Sequence, residues 1–288
     1  MRFVITLVVA GVFATMLTGC TATREVAAVE KPLVVAHRGA SAYAPENTVP
    51  AYELAWEMGA DAGEVDVYIT ADDGIICIHD HTTDRTTGHE GIVYEMTIPE
   101  LRELDAGSWM GEEWAGTKLP FLEELYETMP HGTPMFVEIK RSDVRAVHRV
   151  VEIVDSIGRR EDTVIIAFVK AVCEEAVRIA PDIPVLWLLN APRDEDGTWQ
   201  PLPLEYAQEA AEAGFAGINV NINGVTPELK AACDEAGITL SVWTVNPEED
   251  IREMARLGVH AITTDVPDVA RRVVDEEAAR GTIGELSP

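Results

Sequence analysis

Apolar residues in this chain cluster in short runs, with amphipathic stretches between most of them. The runs are "LVVA" (33–36), "EVDVYI" (64–69), "MFVEI" (135–139), "TVIIAF" (163–168), "PVLWLL" (184–189), "GINV" (217–220), "ITLSVW" (238–243) and "AITT" (261–264). Most are β-rich and bounded by Gly, Pro or Asp, as buried strands are. Three of the intervening stretches carry helix punctuation. "TVPAYELAWEMG" opens on Thr48, "TPELKAACDEAG" on Thr226 and "NPEEDIREMARLG" on Asn246, and each closes on a glycine, at 59, 237 and 258. Those are N-cap and C-terminal stop signals.

Eight strands alternating with helices predict a (β/α)8 barrel, an α/β fold that takes about 250 residues. A doubly wound sheet shows the same alternation and is the structural alternative; the count of eight favours the barrel. One segment breaks the rhythm. After the second run come an extra strand, "IICIH" (75–79), and a long polar stretch rich in Gly, Thr and Trp. An insertion there, over about 80–119, falls at the C-terminal mouth, where barrel active sites are built.

The first twenty residues follow a different logic. "MRFVITLVVAGVFATMLTGC" has Arg2, an uncharged apolar run and a terminal cysteine. It reads as a secretory signal, too short and wrongly flanked for a spanning helix. Its Leu-Thr-Gly-Cys end resembles the bacterial lipobox, which implies cleavage after residue 19, lipidation of Cys20 and a tether over 20–32. The expected organisation is then a signal at 1–19, the tether, a barrel domain at 33–276 and a tail at 277–288. The expected location is the bacterial cell envelope, facing periplasm or exterior. Cys77, Cys173 and Cys233 are odd in number and widely spaced, so buried free thiols are expected rather than a disulfide framework or zinc site.

Charge narrows the partners. With 22 basic against 50 acidic residues the formal net charge is -28. Nucleic acid requires the opposite balance, and anionic lipid headgroups repel such a surface. Membrane association is therefore expected through the lipid anchor only, and the oligomeric state is not legible.

Candidate chemistry sits at the strand ends. The first strand ends on His37-Arg38, the extra strand on His79-Asp80, and the third on Glu138 and Lys140, while the second carries Glu64 and Asp66. Residues two apart on a strand share a side, so Glu64 and Asp66 face the same way. Converging carboxylates call for a cation, and hard oxygen donors select Mg²⁺ or Ca²⁺ over zinc. Two histidines can act as base and acid. Arg38 and Lys140 can hold an anion such as phosphate.

Together, "AHRGASAYAPENT", "GADAGEVDVYIT", "IHDHTTDRTTG", "VEIK", "WTVN" and "GVHAITTDVPDVA" resemble the glycerophosphodiester phosphodiesterase family, over about residues 33 to 272. The resemblance implies a metal-dependent barrel that hydrolyses glycerophosphodiesters to glycerol 3-phosphate and an alcohol. It implies metal ligation of one divalent cation by Glu64, Asp66 and Glu138, catalysis by His37 and His79, and phosphate contacts from Arg38 and Lys140. Glu46 and Asn47 match the helix-start motif; Glu46 either reaches the metal shell or complements the helix N-terminus. Asp80 is a further supporting residue. Trp243 matches an aromatic at the pocket wall, with buried packing as the other reading, and Phe168 joins it at the substrate. The family's frequent Ser-Phe is here Ala167-Phe168. "PVLWLLN" is expected to bring Trp187 and two leucines to the mouth as an apolar wall. His81 and His89 match no role. The implied mechanism passes through a cyclic phosphate, with His37 as base and His79 as acid in the first step. A phospholipase D-like enzyme acting on choline lysophospholipids, and a non-enzymatic binding lipoprotein, are the competing readings.

Overall fold

The computed structural model describes residues 30–283. Nine strands form one sheet: β1 (Leu33–His37), β2 (Ala62–Ile69), β3 (Ile75–Cys77), β4 (Met135–Ile139), β5 (Thr163–Ala167), β6 (Val185–Leu189), β7 (Gly217–Asn221), β8 (Thr239–Trp243) and β9 (Ala261–Thr264). The order is β1-β9-β8-β7-β6-β5-β4-β2-β3, and an additional β1–β2 pairing closes the ring. All pairings within the ring are parallel. Closure makes this the (β/α)8 barrel and excludes the doubly wound sheet.

Strand alternation divides the core in two. Val35, Phe136, Ile166, Leu186, Leu188 and Ala261 form one cluster, which fills the interior. Val34, Val65, Val137, Ile165 and Trp187 belong to a second, larger cluster shared with the helices. Trp187 therefore does not line the mouth as expected. It packs against Tyr206 and Phe215, with ring centroids at 5.4 and 6.1 Å. Leu188, one residue on, takes the inward position, and Leu189 lies with Trp187 in the helix-side cluster. Period-two geometry cannot send neighbours to the same side.

The insertion begins with β3, antiparallel to β2. The Glu64 carbonyl accepts from Arg38 N and the Asp66 carbonyl, two residues on, from Ile78 N, at 3.0 and 3.1 Å. Both bonds leave the same edge of β2, so β3 takes over where β1 stops. Tyr68, Ile76, Ile78, Val93, Leu101 and Leu119 give the insertion its own apolar cluster. Each such side chain contributes about 1.5–3 kcal/mol on full burial, which anchors a segment of otherwise short helices.

Two boundaries differ from expectation. No tail begins at 277: the last helix runs Pro267–Ala279, and Ile283 is buried. Glu277 is fully buried, receiving Arg256 Nε at 2.7 Å, Arg280 at 2.6 Å and Thr282 Oγ1 at 2.8 Å, with Arg252 alongside. The Arg256 bond leads in holding its carboxyl at about 2. A buried acid in "VVDEEAAR" reads as a solvated face because its arginine partners are supplied partly from another helix. Asn246 does not cap a helix either. Pro247 is the N-cap of Glu248–Leu257, and the Asn246 side chain is used elsewhere. Thr226 does cap its helix, accepting from Leu229 N at 3.1 Å. Cys77, Cys173 and Cys233 are buried free thiols. Cys20, the signal and most of the tether lie outside the described residues.

Candidate active site

The mouth is built from strand ends. β1 delivers His37, and Arg38 follows with φ +56°. An arginine is uncommon in that left-handed region. Its N–H is held by two oxygens of Glu64, the carbonyl and Oε2, each at 3.0 Å. Gly39, with φ +82°, then lets the chain turn closely under the first helix. A Cβ there would meet Ala51 at 2.6–2.8 Å.

His37, Arg38, Glu64, His79, Glu138, Lys140, Phe168 and Trp243, all predicted from sequence, line one cavity of about 130 Å3. Asp66 completes the acidic group: one oxygen each from Glu64, Asp66 and Glu138 lie within 4.8 Å of one another, and all three residues are buried. Asn47 fixes Asp66, donating Nδ2 to Oδ2 at 2.8 Å and accepting from Asp66 N at 3.1 Å. Lys140 Nζ lies 2.6 Å from Glu138 Oε1 and 2.8 Å from Asp66 Oδ1, and Arg38 Nε lies 3.1 Å from Asp66 Oδ2.

These contacts set the electrostatics. Burial, reinforced by Asp66 and Glu138, pushes the Glu64 carboxyl well above its ordinary range. Burial also pushes Glu138 up to about 7. At Asp66 burial acts the same way, but Lys140 and Arg38 outweigh it and hold the carboxyl low. For Lys140, burial is outweighed by Asp66 and Glu138, which raise it. Asp66 Oδ1 is buried and meets the Lys140 ammonium at 2.8 Å. Three buried carboxylates with oxygens within 4.8 Å of one another, two of them driven toward protonation, are a set of hard donors that suits a divalent cation.

Each histidine is held by a carboxylate. His37 Nδ1 lies 2.6 Å from Asp265 Oδ1 and His79 Nδ1 lies 2.6 Å from Asp80 Oδ1. An ionised carboxylate only accepts, so both rings donate from Nδ1 and Nε2 is left for other partners. Burial would raise Asp265, but hydrogen bonds from His37, Asn246 and Ser41 prevail and hold it at about 2. The Asn246 bond is 2.6 Å and the Ser41 bond 3.0 Å. Asp80 is lowered against burial by Arg85 and His79. Burial pulls His79 below its ordinary value.

Glu46 stays outside the acidic group. Arg85, from the insertion, forks it at 2.6 and 2.8 Å, and Arg38 reaches it at 3.1 Å. Arg85 Nε also donates to Asp80, so His79, Asp80, Arg85, Glu46 and Arg38 form one chain of charge. Trp243 is at the pocket wall. It stands edge-on to Phe168 at 5.5 Å and donates Nε1 to the Asn219 carbonyl at 3.1 Å. Ile166 and Leu188 extend that wall.

The sequence reading assigned no part in the site to Asp265, Ser41, Arg85, Asn219 or Thr263, and gave Asn246 only a helix start. Asp265 and Arg85 sit inside the motif segments quoted above, so position in a motif was the available signal. Nothing local says that Asp265 reaches a histidine 228 positions away.

Paired histidines, a carboxylate group and two cations around one pocket at the C-terminal end of a parallel barrel are the equipment of a phosphoric diester hydrolase. The family model of the glycerophosphoryl diester phosphodiesterase family matches residues 37–269. A glycerophosphodiester phosphodiesterase of Caldanaerobacter subterraneus is 34% identical over 250 residues, covering 85% of this chain and 98% of that protein. The crystal structure of glycerophosphodiester phosphodiesterase from Agrobacterium tumefaciens superposes with TM-score 0.71 at 29% identity, over 84% of this chain and 99% of that one. An Oleispira antarctica phosphodiesterase, solved with the product sn-glycerol-3-phosphate, shares the fold at TM-score 0.75 and 24% identity, over 85% and 97%. The chain belongs to the glycerophosphoryl diester phosphodiesterase family.

Proposed function

We propose that this enzyme hydrolyses glycerophosphodiesters to sn-glycerol 3-phosphate and an alcohol, with His37 and His79 as its acid–base pair. The observation that carries this reading is that both histidines are held at Nδ1 by carboxylates and line the same cavity as Arg38 and Lys140. His37 Nε2 takes the proton of the glycerol 2-hydroxyl, whose oxygen attacks phosphorus. His79 gives a proton to the departing alcohol oxygen. Its depressed pKa makes it the readier donor, at the cost of a smaller protonated fraction. Water then opens the cyclic phosphate with the roles reversed. Asp265 stabilises the imidazolium at His37, and Asp80 does so at His79. Arg38 and Lys140 balance charge on the phosphoryl oxygens. Glu64, Asp66 and Glu138 would hold one divalent cation, Mg²⁺ or Ca²⁺, which would neutralise phosphoryl charge.

A panel of glycerophosphocholine, glycerophosphoethanolamine, glycerophosphoglycerol and lysophosphatidylcholine tests the substrate. Turnover of the glycerophosphodiesters, with release of glycerol 3-phosphate, is the expected result. The apolar wall of Ile166, Leu188, Phe168 and Trp243 favours the lysophospholipid as the second reading. Exclusive turnover of lysophosphatidylcholine would replace the first reading by it.

Lipidation of Cys20 and an envelope location are part of the same proposal, supported by the Leu-Thr-Gly-Cys end of the signal. Changing Cys20 to Ala should abolish lipidation and leave the precursor unprocessed by the lipoprotein peptidase, with the barrel unaffected. A wild-type protein recovered wholly soluble, with an unmodified N-terminus beyond residue 20, contradicts the anchor.

A further inference from the structure

One side chain of the insertion reaches the charged side of the pocket without a part in the reaction above. Arg85 sits on a four-residue helix, Asp84–Thr87, within "DRTTG". That turn is fixed at both ends. Fully buried Thr83 donates its N–H to the Gly91 carbonyl at 3.0 Å, and Gly88, at φ +67°, donates its N–H to the Asp84 carbonyl at 2.9 Å. The guanidinium then meets two carboxylates at once. Nε donates to Asp80 Oδ2, while Nη1 and Nη2 donate to Glu46 Oε2 and Oε1 at 2.8 and 2.6 Å. Each carboxylate has another partner that lines the pocket. Asp80 Oδ1 holds His79 Nδ1 at 2.6 Å, and Glu46 Oε1 accepts from Arg38 Nη1 at 3.1 Å. Burial would raise both carboxyls, and the Arg85 bond leads the contributions that lower them instead.

We propose that Arg85, braced on Glu46, is a positioning residue that holds the His79–Asp80 pair in the orientation needed to protonate the leaving alcohol oxygen. This rests on the glycerophosphodiester reading given above and on His79 as the acid. The geometry is that of a fork. A guanidinium presents its donors in one plane and in fixed directions, so three nitrogens spread over two carboxylates set the angle between them. Asp80 is gripped through both oxygens, one by Arg85 and one by His79, and its plane cannot turn without breaking a charge-assisted bond. An aspartate that cannot turn fixes the direction of the Nδ1–H bond and, across the ring, that of Nε2. Glu46, whose side chain is 12% exposed, is the rigid end of the brace, because Arg38 holds it from the other side. Stapling the insertion to the barrel does not account for this arrangement. The insertion has its own apolar cluster, and a second clamp where the Arg141 guanidinium lies 3.5 Å from the centre of the Tyr94 ring. A staple needs one carboxylate. Arg85 spans two, and one of them is the partner of a catalytic histidine.

The test compares two diesters in the full-length enzyme, glycerophosphocholine and glycerol nitrophenyl phosphate. Both present the same attacking hydroxyl, but choline needs a proton as it leaves and nitrophenolate does not. Arg85→Gln removes the charge. Arg85→Lys keeps it on a single nitrogen that cannot reproduce the fork, and serves as the second variant if the first fails to fold. Each is expected to lower kcat on glycerophosphocholine about 10²-fold, the scale of a displaced catalytic group, and on the nitrophenyl diester by no more than about tenfold. The ratio of the two kcat values therefore falls. Tyr94→Leu, which loosens the other clamp of the insertion, should leave that ratio unchanged. His79→Ala should lower it furthest, and adding Arg85→Gln to His79→Ala should lower it no further, since the two act as one unit. Equal losses on both substrates, no loss on either, or a ratio that falls as far in Tyr94→Leu would reduce Arg85 to a staple and overturn the proposal. An unchanged ratio in His79→Ala would withdraw His79 as the acid and the positioning role with it. Failure of the wild type to turn over either diester would defeat the phosphodiesterase reading instead.

Discussion

Replacing His37 or His79 with alanine is expected to lower kcat on glycerophosphocholine by about 10²–10⁴-fold. Neither ring belongs to an apolar cluster, and both are oriented by carboxylates. Thermal stability should therefore change little. The two losses should not add in the double variant, since each histidine needs the other to complete turnover. A substrate with a nitrophenol leaving group separates the roles. Nitrophenolate departs with little protonation, so His79→Ala should recover on it and His37→Ala should not. The opposite pattern reverses the assignment of acid and base. Near-normal activity of both variants on glycerophosphocholine would end the two-histidine mechanism.

Stripping divalent cations with EDTA is expected to abolish activity, with Mg²⁺ or Ca²⁺ restoring it. Glu64→Ala, Asp66→Ala and Glu138→Ala should each weaken binding and depress kcat/KM. Asp66→Ala should do the most damage. Its carboxylate also engages Lys140, Arg38 and Asn47, so its loss strands two buried cations near each other. Glu64→Ala and Glu138→Ala should recover in part at raised cation concentration by mass action. A second readout needs no turnover: the cation should raise the Tm of the wild type and raise that of Asp66→Ala less. Full activity in EDTA-treated wild type would remove the cation from the mechanism.

Much of this architecture was legible along the chain because its signals are local. Period-two runs mark the strands, and an ExD spacing on β2 puts two carboxylates on one side whatever the rest of the molecule does. The insertion's place at the mouth followed from where it interrupts the alternation. The illegible parts depend on barrel closure. Asp265 meets His37 because β9 pairs with β1, and no feature of "TTDVP" announces that neighbour. Asn246 looked like a helix cap because it precedes Pro-Glu-Glu; its amide is used instead by Thr264 and Asp265. Trp187 was misplaced for another reason. An all-apolar strand such as "VLWLL" carries no polar alternation to say which residues face inward. Glu277 was read as tail because its neutralising arginines lie mostly in a different helix.

The cavity's two sides come from two stretches of chain. His37, Arg38, Glu64, Asp66, His79, Glu138 and Lys140 all precede residue 141, whereas Ile166, Phe168, Leu188, Asn219, Trp243 and Thr263 all follow it. The first half-barrel thus carries all but one of the charged groups around the cavity, and the second carries its apolar and uncharged polar lining. Heredity can act on them separately. Substitutions along β5 to β9 would change the lining of the cavity without touching the carboxylates and cations of the first half. The exception is Asp265, the one acidic group that crosses the seam to steady His37. A substitution at Asp265 would therefore be felt at His37, on the other side of the seam.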